Sequence, residues 1–117
     1  TGCTFSDLNS DGWQDLIISI EWGPITYLEN IAGNFVDKTK EANLSKLTGW
    51  WNGVTSADID NDGDFDLIAH NFGKNTKYKA SDQHPVLLYY GKFGTDEMRM
   101  VEAKFEDDQL FPVRGKS

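Results

Sequence analysis

Two stretches of the chain carry nearly the same acidic nonapeptide, 51 residues apart: Asp7-Leu8-Asn9-Ser10-Asp11-Gly12-Trp13-Gln14-Asp15 and Asp58-Ile59-Asp60-Asn61-Asp62-Gly63-Asp64-Phe65-Asp66. Oxygen-bearing side chains recur at every second position, a glycine stands sixth and a carboxylate ninth. Hard divalent cations such as calcium take about six to eight oxygen ligands in a flexible cage, and alternate residues of a tight loop can turn several of them inward. The glycine falls where the chain has to bend sharply, into a conformation costly for any residue with a Cβ.

The register runs well past the acidic residues. Gly2 pairs with Gly53, Thr4 with Thr55, Asp7 with Asp58, Leu8 with Ile59, Asp11 with Asp62, Gly12 with Gly63, Asp15 with Asp66, Leu16 with Leu67 and Ile17 with Ile68. No gap is needed anywhere along that alignment. A repeat of about 50 residues has the length of a propeller blade or a related array unit. Short β-branched runs bounded by turn residues flank each loop: Cys3–Phe5 and Val54–Ser56 lead in, Leu16–Ile20 and Leu67–Ala69 lead out. Such runs read as buried strands. A third strand, Ile25–Glu29, follows Gly23-Pro24, and a fourth, around Phe35-Val36, follows Gly33-Asn34. Four antiparallel strands per repeat is the make-up of a propeller blade.

The second repeat overlays the first with one insertion. Pro24 matches Pro85 and Gly33 matches Gly94, so Val86–Tyr90 is the expected third strand and Met98–Phe105 the fourth. Thirteen residues separate Asn71 from Pro85, against three between Ile20 and Pro24, so the insertion is ten residues long. The segment at residues 72–84 brings Lys74, Lys77 and Lys79 beside Tyr78 in an otherwise acidic chain, and reads as a polar surface loop. Lys74, Lys77 and Tyr78 are therefore candidates for contact with an anionic or glycan partner, weighed against a solvated excursion whose lysines offset nearby aspartates. Residues 38–48 link the repeats, with room for one helical turn at Lys40–Leu47. The division is residues 1–48 as first blade with connector, and residues 49–117 as second blade with the insertion and the start of a next segment.

Composition narrows the class. With 38% apolar and 13% aromatic residues the chain suits a folded domain rather than a disordered one. The net charge of −8 argues against nucleic-acid binding, which would call for a basic patch. Asp7, Asp11 and Asp15 contribute to it in the first loop, and Asp58, Asp60, Asp62 and Asp66 in the second. Carboxylates packed so closely repel one another unless a cation joins them. No apolar run is long enough to span a bilayer, and no basic-then-apolar signal peptide is present. The chain opens on a strand rather than on Met, which reads as a piece of a longer protein or a mature product.

Cys3 is the sole cysteine, so no disulfide forms within the chain. It aligns with Val54, and a free cysteine commonly behaves as a small buried hydrophobe, so a core position is expected; Thr1-Gly2-Cys3 also faintly matches the end of a lipoprotein signal. Trp50-Trp51 carries two readings. Adjacent rings can form a sugar-stacking platform. Alternatively, because neighbouring strand side chains face opposite ways, one ring packs between blades and the other covers the surface.

Taken together, Asp-Xaa-Asp/Asn-Xaa-Asp-Gly-Xaa-Xaa-Asp between two short strands resembles the FG-GAP (VCBS-type) repeat of integrin-α-like β-propellers. Gly49-Trp50-Trp51-Asn52-Gly53, Asn71-Phe72-Gly73-Lys74-Asn75 and Leu110-Phe111-Pro112-Val113-Arg114-Gly115 look more narrowly like bacterial secreted proteins of the ASPIC/UnbV-related group. The resemblance implies an all-β fold: two four-stranded antiparallel blades, a fragment of a seven-bladed propeller, with a cation in the loop joining each blade's first two strands. It implies adhesion or ligand binding at a cell surface, in a periplasmic or extracellular space. Carried over, one Ca2+ site would use side chains of Asp7, Asn9, Asp11 and Asp15 with the carbonyl of Trp13. A second Ca2+ site would use Asp58, Asp60, Asp62 and Asp66 with the carbonyl of Asp64. Partners would be a protein or glycan ligand and the remaining propeller blades, since two blades cannot close a ring and leave strand edges open.

EF-hands also place oxygen ligands at alternate positions, but they require a glutamate at loop position twelve and helices on both sides. Ile18 and Ala69 stand there instead, in strand-like runs. Dockerin modules also put helices after their loops. An enzyme is the main rival class, as the propeller part of a secreted polysaccharide-active protein, alongside a glycan-binding lectin. His70 and His84 are the only histidines, and neither pairs visibly with a nucleophile.

Overall fold

The computed structural model describes residues 1–73, 80–92, 94 and 97–113, which fall into two compact units, Thr1–Gly73 and Lys74–Ser117. Every regular element among the described residues is a strand. In the first unit β1 (Gly2–Ser6), β2 (Asp15–Ser19), β4 (Thr26–Ile31) and β5 (Asn34–Asp37) form one four-stranded sheet in that order. All its pairings are antiparallel, so the first repeat makes the four-stranded sheet that its sequence predicts. The β4–β5 turn is Ala32-Gly33, both at positive φ, the two-residue connection whose twist matches that of the flanking strands.

Side chains on the two faces of this sheet have different surroundings. Ser6 stands opposite Asp15, Thr4 opposite Ile17 and Gly2 opposite Ser19; Ser6, Asp15, Ile17 and Ser19 are buried. On the other face Cys3 stands opposite Ile18 and Phe5 opposite Leu16, and Cys3 and Phe5 are exposed. The expected core position for Cys3 is thus corrected. On the edge strand β1, the alternation puts residue 3 on the same face as exposed Phe5, opposite to the face of buried Ser6 and Ser19.

Short β3 (Gly23–Pro24) pairs with β6 (Thr48–Gly49), and β7 (Trp51–Ala57) pairs with β8 (Asp66–Asn71) through the register Ala57↔Asp66 to Gly53↔His70. The aligned glycines allow β1 and β7 to approach closely: a Cβ at Gly2 would lie 3.4 Å from Gly53 Cα. Between β5 and β6 no helix forms where the helical turn is expected, and a bond of helical spacing, Ala42 N to Lys38 O, begins ahead of Lys40. Lys40–Leu47 forms a run of tight turns, with Asn43 at positive φ and a bond from Leu47 N to Leu44 O. Its start is pinned to the sheet by Tyr27 N–H, which donates to Thr39 Oγ1 at 3.0 Å. The Thr39 hydroxyl, and after it the Thr39 backbone N–H at 2.9 Å, hydrogen-bond to Asp37 and hold its carboxyl below its usual range.

The second unit contains β9 (Leu87–Lys92), β10 (Met98–Glu106) and β11 (Gln109–Pro112), an antiparallel sheet in the order β11-β10-β9. The strands expected at Val86–Tyr90 and Met98–Phe105 are present as β9 and β10. The second repeat's strands therefore stand in a two-stranded and a three-stranded sheet, not in one four-stranded sheet. Asp107 and Asp108, both at positive φ, form the β10–β11 turn. No helix among the described residues is long and apolar enough to cross a membrane.

Candidate metal centre

Each acidic loop connects the two strands of a hairpin, β1 to β2 and β7 to β8, so the repeats present equivalent loops. Their main chains follow the same course. Ser10 and Asn61 are left-handed at φ 58° and 64°, and Gly12 and Gly63 follow at 89° and 97°. The sixth-position glycine was legible in the sequence. The left-handed residue at the fourth place was not, although Asn tolerates that conformation better than most residues.

The same hydrogen bonds shape both loops. Asp7 Oδ1 accepts from Asp11 N–H at 3.0 Å and its Oδ2 from Gly12 N–H at 2.8 Å. Asp58 accepts from Asp62 N–H at 3.2 Å and from Gly63 N–H at 3.0 Å. Asn9 and Asp60 each accept from the amide two residues on, that of Asp11 or Asp62 respectively, completing the tight turn. Asp11 accepts from Trp13 N–H at 2.8 Å, as Asp62 does from Asp64 N–H at 2.9 Å. The ninth-position carboxylates close the loops: Asp15 accepts from Leu8 N–H and Asp66 from Ile59 N–H.

In the second loop the carboxylate oxygens of Asp58, Asp60 and Asp66 lie within 4.8 Å of one another. Oxygens at calcium-ligand distance from one ion are separated by no more than about 5 Å, so these three fit a shared cation. The first loop has neutral Asn9 where the second has Asp60. Its amide donates to Glu29 Oε1 on β4 at 2.9 Å, which brings a further carboxylate beside the loop. Asp15 is fully buried and also accepts from Asn30 N–H at 2.8 Å and Tyr27 O–H at 3.1 Å. Burial, and after it the negative charge of Asp15, raise the Tyr27 hydroxyl pKa well above its usual value, so it remains a donor. Sequence reading passed over Tyr27, Glu29 and Asn30. They come from the third strand, and only the β2–β4 register brings them to the loop.

Trp13 and Asp64, whose carbonyls complete the expected ligand sets, are exposed. Lys74, Lys77 and Tyr78 lie outside the described residues. The adjacent tryptophans take different surroundings. Trp50 packs with Trp22 at 5.9 Å and edge-on with Phe72 at 5.6 Å, whereas Trp51 donates its indole N–H to Leu47 O. In the second unit His84 Nε2 meets Asp108 Oδ1 at 2.7 Å, while Ser81 Oγ accepts from the main-chain N–H of His84.

Paired hairpins, each turned by an acidic loop with one hydrogen-bonding scheme, define an all-β repeat protein with paired acidic loops. A family model described as FG-GAP-like repeat matches residues 7–69, from the first acidic loop into β8. The chain belongs to the FG-GAP-like repeat family. Searches of curated proteins and of solved structures gave no match.

Proposed function

We propose that the chain is a calcium-stabilised binding module of a repeat β-propeller, with one Ca2+ held in each acidic loop. The single observation that carries this reading is the convergence of Asp58, Asp60 and Asp66 in a loop whose backbone course the first loop repeats. The second site would use the side chains of Asp58, Asp60, Asp62 and Asp66 with the Asp64 carbonyl. The first would use Asp7, Asn9, Asp11 and Asp15 with the Trp13 carbonyl. The cation supplies positive charge that joins carboxylates which otherwise repel, tying the ends of paired strands; its role is structural.

The exposed apolar face holding Phe5 and Phe35 supports continuation into further blades, because an isolated sheet leaves such side chains in water. Blade division at residues 1–48 and 49–117, a seven-bladed parent and the narrower ASPIC/UnbV-related kinship belong to this same proposal. So does a calcium-rich extracellular, cell-surface or periplasmic setting. Exposed Trp22 and Phe72, each packed against Trp50, favour a glycan ligand as the second reading, since ring faces suit the apolar faces of pyranoses. Lys74, Lys77 and Tyr78 would add contacts to an anionic or glycan ligand, and replacing all three should weaken its binding without lowering thermal stability.

Thermal unfolding with and without a chelator tests the calcium reading. Free calcium at 100 times its dissociation constant adds about 2.7 kcal/mol per site. An unchanged melting temperature after both loops have been stripped rejects it.

A further inference from the structure

The two loops touch. Ser10 of the first loop donates its hydroxyl to Asp64 Oδ1 of the second at 3.2 Å, a contact spanning 54 residues of sequence. We infer from this bond that Ser10 is a positioning residue for the second calcium site, and that the two sites load cooperatively through it. The inference rests on the calcium reading above and adds to it a coupling between the sites.

Ser10 stands between Asn9 and Asp11, both expected ligands of the first ion. Its φ of 58° is fixed by the turn in which Asp11 N–H binds both Asp7 and Asn9. Filling the first site immobilises both neighbours of Ser10 and so holds its hydroxyl in place. At the other end, Asp64 is the residue whose carbonyl is expected to face the second ion. Its N–H is bound to Asp62 and its carboxylate to Ser10, so the residue that carries that carbonyl is held by both its main chain and its side chain. Ordering one loop reduces the ordering that the other must still undergo, which produces positive coupling without a change of fold. The coupling is reciprocal by linkage. Direct repulsion between two divalent ions acts in the opposite direction, and salt screens it. The cooperative part is therefore clearest at moderate ionic strength.

Sequence alone does not reveal this contact. Ser10 is a non-ligand position, and Asp64 enters the ligand pattern only through its carbonyl. Side-by-side packing of β1 and β7 is what brings the fourth place of one loop to the seventh place of the next.

Calcium titration calorimetry of the full chain at about 0.15 M salt tests the proposal. Disabling the first loop with Asp7→Asn should weaken the second site about fivefold, the size expected for one exposed hydrogen bond to a carboxylate. Ser10→Ala should cause the same loss, and the double variant should lose no more than either single one. Ser10→Gly separates loss of the hydroxyl from strain at positive φ and should match Ser10→Ala. Ser10→Asn, the residue at the equivalent place in the second loop, retains a donor and should restore most of the affinity. If both loops bind calcium and neither Ser10→Ala nor Ser10→Gly changes the second dissociation constant, the coupling is wrong and the calcium reading stands. If the wild-type chain binds no calcium at either loop, both are wrong.

Discussion

The two acidic loops share nine-residue spacing, glycine position and hydrogen-bonding scheme, yet their last carboxylates are in opposite environments. Asp15 is fully buried and takes hydrogen bonds from Leu8, Tyr27 and Asn30; Asp66 is exposed and, among the described residues, takes one from Ile59. Tyr27 and Asn30 both come from β4, which pairs with β2 beside the first loop, whereas β8 ends its two-stranded sheet. The comparison separates two roles that the motif confounds. The loop's turn is encoded within the nonapeptide, because both copies make it. The anchoring of its final carboxylate is encoded outside it, in the third strand.

The largest test of that separation is removal of the anchor. Asp15→Ala in calcium-free buffer leaves the amides of Leu8 and Asn30 without their acceptor in a buried place, and should cost about 3 kcal/mol. Asp66→Ala removes one exposed bond and should cost under about 1 kcal/mol. Urea unfolding of both variants measures the difference. Equal losses would mean that burial of Asp15 contributes nothing, and that the loops are energetically as alike as their sequences.

This asymmetry marks where sequence reading succeeds and where it stops. The strands at Leu16–Ile20, Phe35–Val36 and Met98–Phe105 are local patterns of alternation and turn residues, and they stand in the structure as β2, β5 and β10. The hairpin position of the acidic loops was equally local. The short β3–β6 pair, Glu29 beside Asn9 and the exposed face of Cys3 all depend on which strand pairs with which, and at what register. That is tertiary information, which a single β-branched run does not contain. The helical turn expected at Lys40–Leu47 failed for a related reason: Thr39 is buried and tied to Tyr27, which draws the segment onto the sheet in tight turns.

With calcium present, the comparison concerns rank. The second loop has Asp60 where the first has Asn9, and added ligand charge strengthens calcium binding. The first loop has the better-fixed ligands. We expect charge to decide, with the second site tighter, and Asp60→Asn to weaken it roughly tenfold, about 1.4 kcal/mol, bringing the two sites together. Site-resolved titration measures the order. A tighter first site in the wild-type chain would show that the anchoring of Asp15 outweighs a formal charge.

The smallest effect isolates Tyr27. Its hydroxyl donates to Asp15, and burial together with that carboxylate raises its pKa above the usual value near 10. Below that pH the phenol is neutral in both folded and unfolded chains, so its contribution to stability is complete. As pH rises past 10 the unfolded chain releases the proton while the folded chain retains it. Stability therefore falls with rising pH through this window and is lost as the folded pKa is approached. Tyr27→Phe should cost about 1 kcal/mol at neutral pH, where one donor to Asp15 disappears. It should also flatten the alkaline decline relative to wild type. Urea midpoints of the two proteins between roughly pH 8 and 11.5 give the comparison directly, since tyrosine titration falls in that range. Two curves that stay parallel throughout would show that the phenol does not hold Asp15, and would leave Leu8 and Asn30 as the anchors that distinguish the first loop from the second.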